Sequence, residues 1–275
     1  MTLGEVNGTS LFFELRGQGP PLLMIPGSPG ESGHLVPVAE LLADEFTVVT
    51  YDRRGNSRSP RPPGWTSTST REQADDAAAL LQALNLAPAA AFGISSGCGI
   101  LTELMLRRPE LLTGAVFHEP GFIEVTSDPD AAMAFMDAGF DVGMKRGGPR
   151  AALESFARLM IGAEVFDAMD PSVADRLVNN VDVFFEVEGK SEGYLPDRDA
   201  LRQVRLPCVV LAGMDNRSPD ALMHFFYEAS QWLADGLGVP VTEVPGGHAA
   251  HASHPEAFAA ALRDAVRGFG RHSQS

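Results

Sequence analysis

Along most of the chain, short apolar segments alternate with longer amphipathic segments. The segments FTVVTYD (46–52), AAAFGIS (89–95) and LPCVVLAGMD (206–215) are apolar almost throughout, which is typical of buried strands. Between such segments, REQADDAAALLQALNL (71–86) has apolar residues at helical spacing. Strands that are apolar on both faces and alternate with helices indicate a mostly parallel sheet covered by helices on both sides. The sequence therefore predicts an α/β fold.

The alternation stops between residues 121 and 204. This stretch contains helical patterns, such as PRAALESFARLMIG (149–162) and DPSVADRLVNNVDVFFEV (170–187), and no segment typical of a buried strand. We therefore expect one core domain formed by residues 1–120 and 205–275, with residues 121–204 inserted after the sixth strand as a helical lid.

Composition excludes several classes of protein. The chain has 36 acidic and 21 basic residues and a net charge of −15, which argues against a nucleic-acid partner. No apolar run approaches the length of a membrane-spanning helix, and the N-terminus lacks the pattern of a secretory signal, so we expect a cytoplasmic protein that does not bind membranes. Its two cysteines, Cys98 and Cys208, are expected to be buried free thiols.

No metal or nucleotide cofactor is expected. The sequence has no HExxH pattern, no paired CxxC, no phosphate-binding P-loop and no G-x-G-x-x-G after the first strand. The expected partner is a small molecule, and the sequence leaves the oligomeric state open.

The segment Gly93-Ile94-Ser95-Ser96-Gly97 fits G-x-S-x-G between a predicted strand and a predicted helix. A serine on such a tight turn projects from the strand end, and its neighbours two positions away must be small. The pattern thus predicts a nucleophile at Ser95. The backbone N–H of Ser96, at the start of the helix, would face a developing oxyanion.

A reactive serine needs a base, and His248 is the favoured candidate. It follows the last predicted strand and a Gly-Gly turn, so it belongs to a loop at the carboxyl edge of the sheet, where Ser95 also lies. His251 and His254 lie nearer the final helix and are interpreted as solvated or helix-capping residues. In IPGSPG (25–30), the N–H of Ser28 is a candidate second donor to the oxyanion.

Four segments, in this order, resemble the α/β-hydrolase superfamily: IPGSPG (25–30), YDRRGNSRS (51–59), Gly93–Gly97 and PGGHAAHASHP (245–255). The resemblance covers nearly the whole chain outside the predicted lid. It implies an eight-stranded sheet and a serine, acid and histidine triad in that chain order. The sequence departs from many members at Pro26, where they have histidine, but the Ser28 amide is retained.

Serine at the nucleophile position, residue 95, distinguishes this chain from epoxide hydrolases and haloalkane dehalogenases, which use aspartate at that position. The expected function is therefore hydrolysis of a carboxylic ester or lactone through an acyl-enzyme. FGISSG (92–97), VFHEPG (116–121) and GGHAAHASHPEAF (246–258) also resemble zearalenone-type lactone hydrolases. Two alternatives stay open: a cofactor-free haloperoxidase-like perhydrolase with the same triad, and a non-catalytic ligand-binding scaffold.

Two residues compete as the acid of the triad. The common position in the superfamily is the loop after the late strand, which offers Asp215, although the usual spacing from Gly213 falls on Asn216. The alternative is Glu119, at the end of the strand that follows the nucleophile helix, where some relatives carry their acid. A glutamate between apolar residues and a Pro-Gly pair needs a partner if it is buried, and His248 would supply one. The sequence favours Glu119.

The predicted lid is rich in phenylalanine and methionine. Most of these side chains are expected to pack among the lid helices, and some to line an apolar substrate pocket. The residues selected as pocket candidates are Phe135, Phe184 and Phe185.

Overall fold

The computed structural model describes residues 2–190 and 193–272. Its eight strands form one sheet. They are β1 (Leu3–Val6), β2 (Thr9–Arg16), β3 (Pro21–Ile25), β4 (Thr47–Tyr51), β5 (Ala89–Ile94), β6 (Leu112–His118), β7 (Cys208–Gly213) and β8 (Val241–Val244).

The strands lie in the order β1-β2-β4-β3-β5-β6-β7-β8. Antiparallel pairing is confined to β1 with β2 and β2 with β4, and all pairs from β4 to β8 are parallel. All the strands from β3 to β8 therefore end at the same edge of the sheet, and the loops that follow β3, β5, β6, β7 and β8 meet there. The predicted α/β fold with its eight-stranded, mostly parallel sheet is confirmed.

Eleven α-helices lie in the described residues. They are α1 (Val36–Leu42), α2 (Thr70–Ala83), α3 (Ser96–Arg107), α4 (Pro129–Ile161), α5 (Ala163–Ala168), α6 (Pro171–Asn179), α7 (Val181–Glu186), α8 (Arg198–Arg202), α9 (His224–Leu237), α10 (Ala250–Ser253) and α11 (Pro255–His272).

Buried apolar side chains form a layer on each face of the sheet. Helices α2, α3 and α9 contribute to one layer, in which Leu80, Leu104 and Leu233 are buried, and α1 and α11 contribute to the other. A fully buried leucine side chain stabilises a fold by roughly 1.5–3 kcal/mol relative to exposure. Because both faces are covered, the sheet is rigid and its loop edge is the part left available for chemistry.

The helices α4 to α8 lie between β6 and β7. Helix α4 is interrupted at Gly147 and Gly148, and Gly148 has the left-handed φ of 76°. The chain reverses there, and its two arms come so close that a Cβ on Gly143 would lie 2.6 Å from Ala152 Cα. The two arms of α4 thus pack against each other, and the stacked rings of Phe140 and Phe156, with centroids 4.2 Å apart, join them.

Strand β1 and the helices α9 and α10 were not predicted from the sequence. Strand β1 is short, mostly solvent-accessible and contains a glycine, so it lacks the apolar run that is typical of β4, β5 and β7. Helix α9 supplies Phe225 and Phe226 to a small cluster under α4.

Cys98 is buried as expected, whereas Cys208 is only half-buried, and both are free thiols. Within residues 2–190 and 193–272, no helix has the length and apolar character needed to span a membrane.

Candidate active site

Neighbouring strands bring two of the predicted residues together. Ile94 at the end of β5 is in register with His118 at the end of β6. Ser95 and Glu119 are therefore the first residues beyond two adjacent parallel strands. The Ser95 N–H donates to the His118 carbonyl over 3.1 Å, which ties the two turns together.

The Ser95 turn has the geometry that the G-x-S-x-G pattern requires. Ser95 has φ 54° and ψ −125°, a strained backbone for a residue with a side chain. A Cβ on Gly93 would lie 2.7 Å from the Gly97 carbonyl oxygen, and a Cβ on Gly97 would lie 2.6 Å from the Ile25 carbonyl oxygen. Only glycine fits at either position, so the motif is a steric requirement of the turn.

His248 and Glu119 form a buried hydrogen-bonded pair. His248 Nδ1 lies 3.0 Å from Glu119 Oε2, and both side chains are almost fully buried. Because an ionised carboxylate can only accept, Nδ1 carries the proton and Nε2 keeps its lone pair. The ring of Phe226 stacks on the imidazole at a centroid distance of 3.7 Å, which fixes the plane of the ring.

Three donors converge on the Glu119 carboxylate. Besides His248, it accepts from the Gly213 N–H at 2.8 Å and from Asn216 Nδ2 at 3.0 and 2.9 Å. Burial alone would raise the pKa of Glu119, but the hydrogen bond from His248, the nearby imidazoles and the Gly213 N–H outweigh it and lower the pKa below its usual value. Glu119 is therefore ionised at neutral pH, and it has φ 46°, a second strained residue at this edge.

Asp215, the other candidate acid, is placed differently. It is exposed, and its backbone N–H donates to the Gly246 carbonyl. Arg217, two residues further along the chain, forms an ion pair with Glu243 at 3.3 Å. The position that the common spacing selects is held by Asn216, whose amide donates to Glu119.

The two predicted oxyanion donors lie beside Ser95. A Cβ on Gly27 would come 2.9 Å from Ser95 Cβ, so the loop that carries Ser28 passes directly over the serine. Ser28 and Ser96 line the same cavity as Ser95 and His248. Among the hydrogen bonds of the described residues, neither backbone N–H has an acceptor, so both remain available.

A polar network that the sequence did not predict surrounds these donors. The hydroxyl oxygens of Ser28 and Ser96 lie 3.0 Å apart, and the Ser28 hydroxyl donates to Glu188 Oε2 over 3.2 Å. The same oxygen of Glu188 accepts from Arg53 Nη2 at 2.9 Å, and the other accepts from Asn56 Nδ2 at 3.1 Å. Arg53 and Asn56 belong to YDRRGNSRS, so this motif fixes the loop of Ser28 and contacts residues that follow α7.

Helix α6 and the turn after it are anchored on the same loop. Arg176 pairs with the buried Glu31 carboxylate at 2.9 Å, and Asn180 Nδ2 donates to the Pro29 carbonyl over 2.7 Å. Burial raises the pKa of Glu31, while the neighbouring arginines act in the opposite direction. The helices between β6 and β7 are thus held to the core through polar contacts next to Ser28.

A cavity of about 240 Å³ opens at Ser95. Its wall is mainly apolar and includes Ile123, Met136, Phe156, Met160, Phe184 and Phe226. Of the three aromatic pocket candidates, only Phe184 lines it. Phe185 packs against Phe140 and Phe184, and Phe135 packs against Phe225. The expectation for Phe185 and Phe135 was wrong, because their side chains point to other faces of their helices.

The histidines after His248 differ from each other. His254 is exposed, in keeping with its interpretation, but His251 is buried and its Nε2 lies 2.8 Å from His34 Nδ1. The interpretation of His251 as solvated was therefore wrong. His34 carried no signal in the sequence, because its partner lies 217 residues away.

The comparisons with known proteins agree with this geometry. A family model described as the alpha/beta hydrolase fold matches residues 20–153. The chain is 29% identical over 275 residues to the uncharacterized hydrolase YraK of Bacillus subtilis (strain 168), a match that covers 98% of this chain and 97% of that protein. It is 28% identical over 275 residues to zearalenone hydrolase of Bionectria ochroleuca, and the match covers 94% of each chain.

A solved structure has the same fold. The thermophilic esterase from Thermogutta terrifontis, in a malate-bound form, superposes with a TM-score of 0.74 at 21% identity and covers 98% of this chain and 99% of its own. Sheet order, family match and full-length relatives together show that the chain has the alpha/beta hydrolase fold.

Proposed function

We propose that the protein is a serine hydrolase that cleaves a carboxylic ester or lactone through an acyl-enzyme. The observation that carries this proposal is the buried His248–Glu119 pair, 3.0 Å apart, at the rim of the cavity that also contains the strained Ser95 turn. A base oriented by a carboxylate, in one cavity with a serine on a strained turn, is the arrangement that nucleophilic catalysis needs.

The proposed reaction has two halves. His248 Nε2 accepts the Ser95 proton as the hydroxyl attacks the carbonyl, and the N–H groups of Ser28 and Ser96 donate to the oxyanion. The imidazolium, stabilised by Glu119, then protonates the leaving alkoxide. In the second half His248 activates a water that cleaves the acyl-enzyme and restores Ser95. For a lactone, the acid and the alcohol leave as one opened molecule.

The substrate is proposed to be apolar around the scissile bond, because the cavity is walled by methionine, phenylalanine and isoleucine. A lactone is supported by the relative named as zearalenone hydrolase, which aligns along 94% of this chain and shares its length. The segment 121–204 is proposed to act as a lid on a core formed by 1–120 and 205–275, since α4 and α7 supply Phe156 and Phe184 to the wall.

The direct test is hydrolysis of a panel of p-nitrophenyl esters, aliphatic lactones and aromatic macrolactones by the purified protein. Wild-type turnover with loss of activity in His248→Ala is expected, with smaller losses in His251→Ala and almost none in His254→Ala. Equal losses in all three variants would contradict the assignment of the base. No turnover of any member would favour the non-catalytic scaffold, and bromination in acetate and peroxide exceeding hydrolysis would favour the perhydrolase.

A further inference from the structure

A second cavity, of about 660 Å³, lies behind the wall of the first. Three elements run along the boundary between them. In the first element, residues 249 and 251 line the first cavity, and residues 252 and 253 line the second. In the second element, Leu177 lines the first cavity and Val173 lines the second. In the third element, Ile161 lines the first cavity and Val165 lines the second. The two cavities therefore lie back to back along α10, α6 and the junction of α4 with α5.

One side chain faces both cavities. Among the described residues, His34 is the only residue that lines the first cavity and also the second. Its ring is held edge-on against the ring of His251, with centroids 4.9 Å apart, and by the 2.8 Å contact between His34 Nδ1 and His251 Nε2. His34 therefore forms part of the partition between the two cavities.

The two histidine side chains between the cavities are uncharged at neutral pH. Burial lowers the pKa of His34 to about 4 and the pKa of His251 well below its usual value. Two neutral imidazoles that share one hydrogen bond leave no net charge in the wall. An apolar chain that reached it would meet the edge of a neutral ring.

The second cavity suits an apolar chain. Its wall is formed largely by Val36, Pro37, Val165, Ala168, Met169 and Val173. Two of its cations are already neutralised by buried carboxylates, since Arg58 pairs with Asp52 at 2.6 Å and Arg176 with Glu31 at 2.9 Å. The other charged residues in the wall, Glu164 and Asp170, are acidic, so the described lining does not attract an anionic occupant.

We propose that His34 sets the upper size of the substrate's apolar group by closing the first cavity off from the second. This inference rests on the proposed ester hydrolysis. The first cavity, at about 240 Å³, is smaller than the roughly 300–1,000 Å³ of most ligand sites. A chain that outgrows it toward α10 and α6 would continue through the position of the His34 ring into the larger space. Removal of that ring joins the two cavities.

The experiment compares substrate chain length in His34 variants. Specificity constants are measured in two ester series: p-nitrophenyl esters from butyrate to decanoate, which vary the acyl group, and acetates of linear alcohols, which vary the alcohol. In His34→Ala the preference for the long over the short member is expected to rise about tenfold or more in one series, because added methylenes gain an apolar site.

Two variants separate size from hydrogen bonding. His34→Phe also loses the contact with His251 but keeps a ring, so it should retain the wild-type length preference. His254→Ala is the matched histidine control on an exposed position and should leave both series unchanged. If His34→Ala does not fold, as judged by thermal unfolding, His34→Thr removes the ring and keeps a hydrogen-bonding side chain.

The outcomes distinguish this inference from the proposed function. Turnover of short esters by the wild type with no length shift in His34→Ala or His34→Thr would overturn the role of His34 and leave the hydrolase intact. An equal shift in His34→Phe would also overturn it, because the ring would then not be the barrier. If the wild type cleaves neither series, the hydrolase proposal itself fails.

Discussion

The loops at the carboxyl edge of the sheet and the helices that follow β6 are held by different means. In the loops, Ser95 and Glu119 both have positive φ, and buried hydrogen bonds hold them there. In the helices, the rings of Phe140, Phe156, Phe184 and Phe185 contact one another, with centroids 4.2–5.8 Å apart. Strained backbone tolerates little change, whereas a cluster of aromatic rings can repack. This comparison underlies our proposal that the loops carry the chemistry and that the helices select the substrate.

The largest effect is expected at the strained turn. Ser95→Ala should remove several orders of magnitude of turnover while the protein stays folded, because triad residues act as a unit. Ser96→Ala is the matched control: it keeps the backbone N–H and loses only the hydroxyl that lies 3.0 Å from Ser28, so it should retain most activity. The measurement is kcat for p-nitrophenyl acetate with thermal unfolding in parallel. If Ser95→Ala had a kcat close to that of the wild type, Ser95 would not be the nucleophile, and the proposal that the loops carry the chemistry would be wrong.

The next largest effect on kcat distinguishes Glu119, which follows β6, from Asp215, which follows β7, as the acid. Glu119→Gln should reduce kcat roughly a thousandfold or more, because His248 loses the charge that stabilises its protonated form. Asp215→Asn removes an exposed carboxylate from the end of β7 and should stay within about tenfold of wild type. Both substitutions are nearly isosteric, so kcat compares them directly. The reverse order of losses would transfer the role of acid to Asp215.

A smaller effect is expected in the helices. Phe184→Ala should change the ranking of ester chain lengths by about tenfold, since Phe184 lines the cavity at Ser95. Phe185→Ala, one residue along α7, should lower thermal stability without altering the ranking, because its ring packs on Phe140 and Phe184. Identical changes of ranking in the two variants would show that the cavity wall is not what selects the substrate.

The smallest effect concerns stability against pH. The pKa of Glu119 is lowered in the folded state, so its ionised form contributes stability that is complete above the carboxyl range of the unfolded chain. That stability is lost as the pH falls through the lowered pKa. Glu119→Gln should therefore flatten the acid side of the curve of unfolding free energy against pH. Equal slopes in wild type and Glu119→Gln would contradict the environment described for Glu119.

Local patterns were sufficient for most of the sheet and for the serine turn. The strands β4, β5 and β7 are apolar runs, and Gly93 is required by a contact within the turn, whereas Gly97 is required by the distant Ile25 carbonyl. Glu119 was favoured from sequence because a charge among apolar neighbours needs a partner.

The remaining contacts depend on packing between distant segments. Glu188 meets Ser28 across 160 residues, and His251 meets His34 across 217, so no local periodicity could reveal either contact. The same limit applies to Phe184 and Phe185. A helical pattern predicted the helix, but which ring faces the cavity is decided by how that helix docks on its neighbours.

The contact between Asn216 and Glu119 has an evolutionary consequence. Asn216 touches both carboxylate oxygens, at 3.0 and 2.9 Å, so a side chain from the end of β7 reaches the carboxylate that is proposed as the acid. Exchanging the two roles takes two substitutions. One order passes through facing carboxylates, which repel each other, and the other passes through facing amides, which leave His248 without a charged partner. We therefore expect either single substitution to lower activity, which would oppose a gradual change from one arrangement to the other.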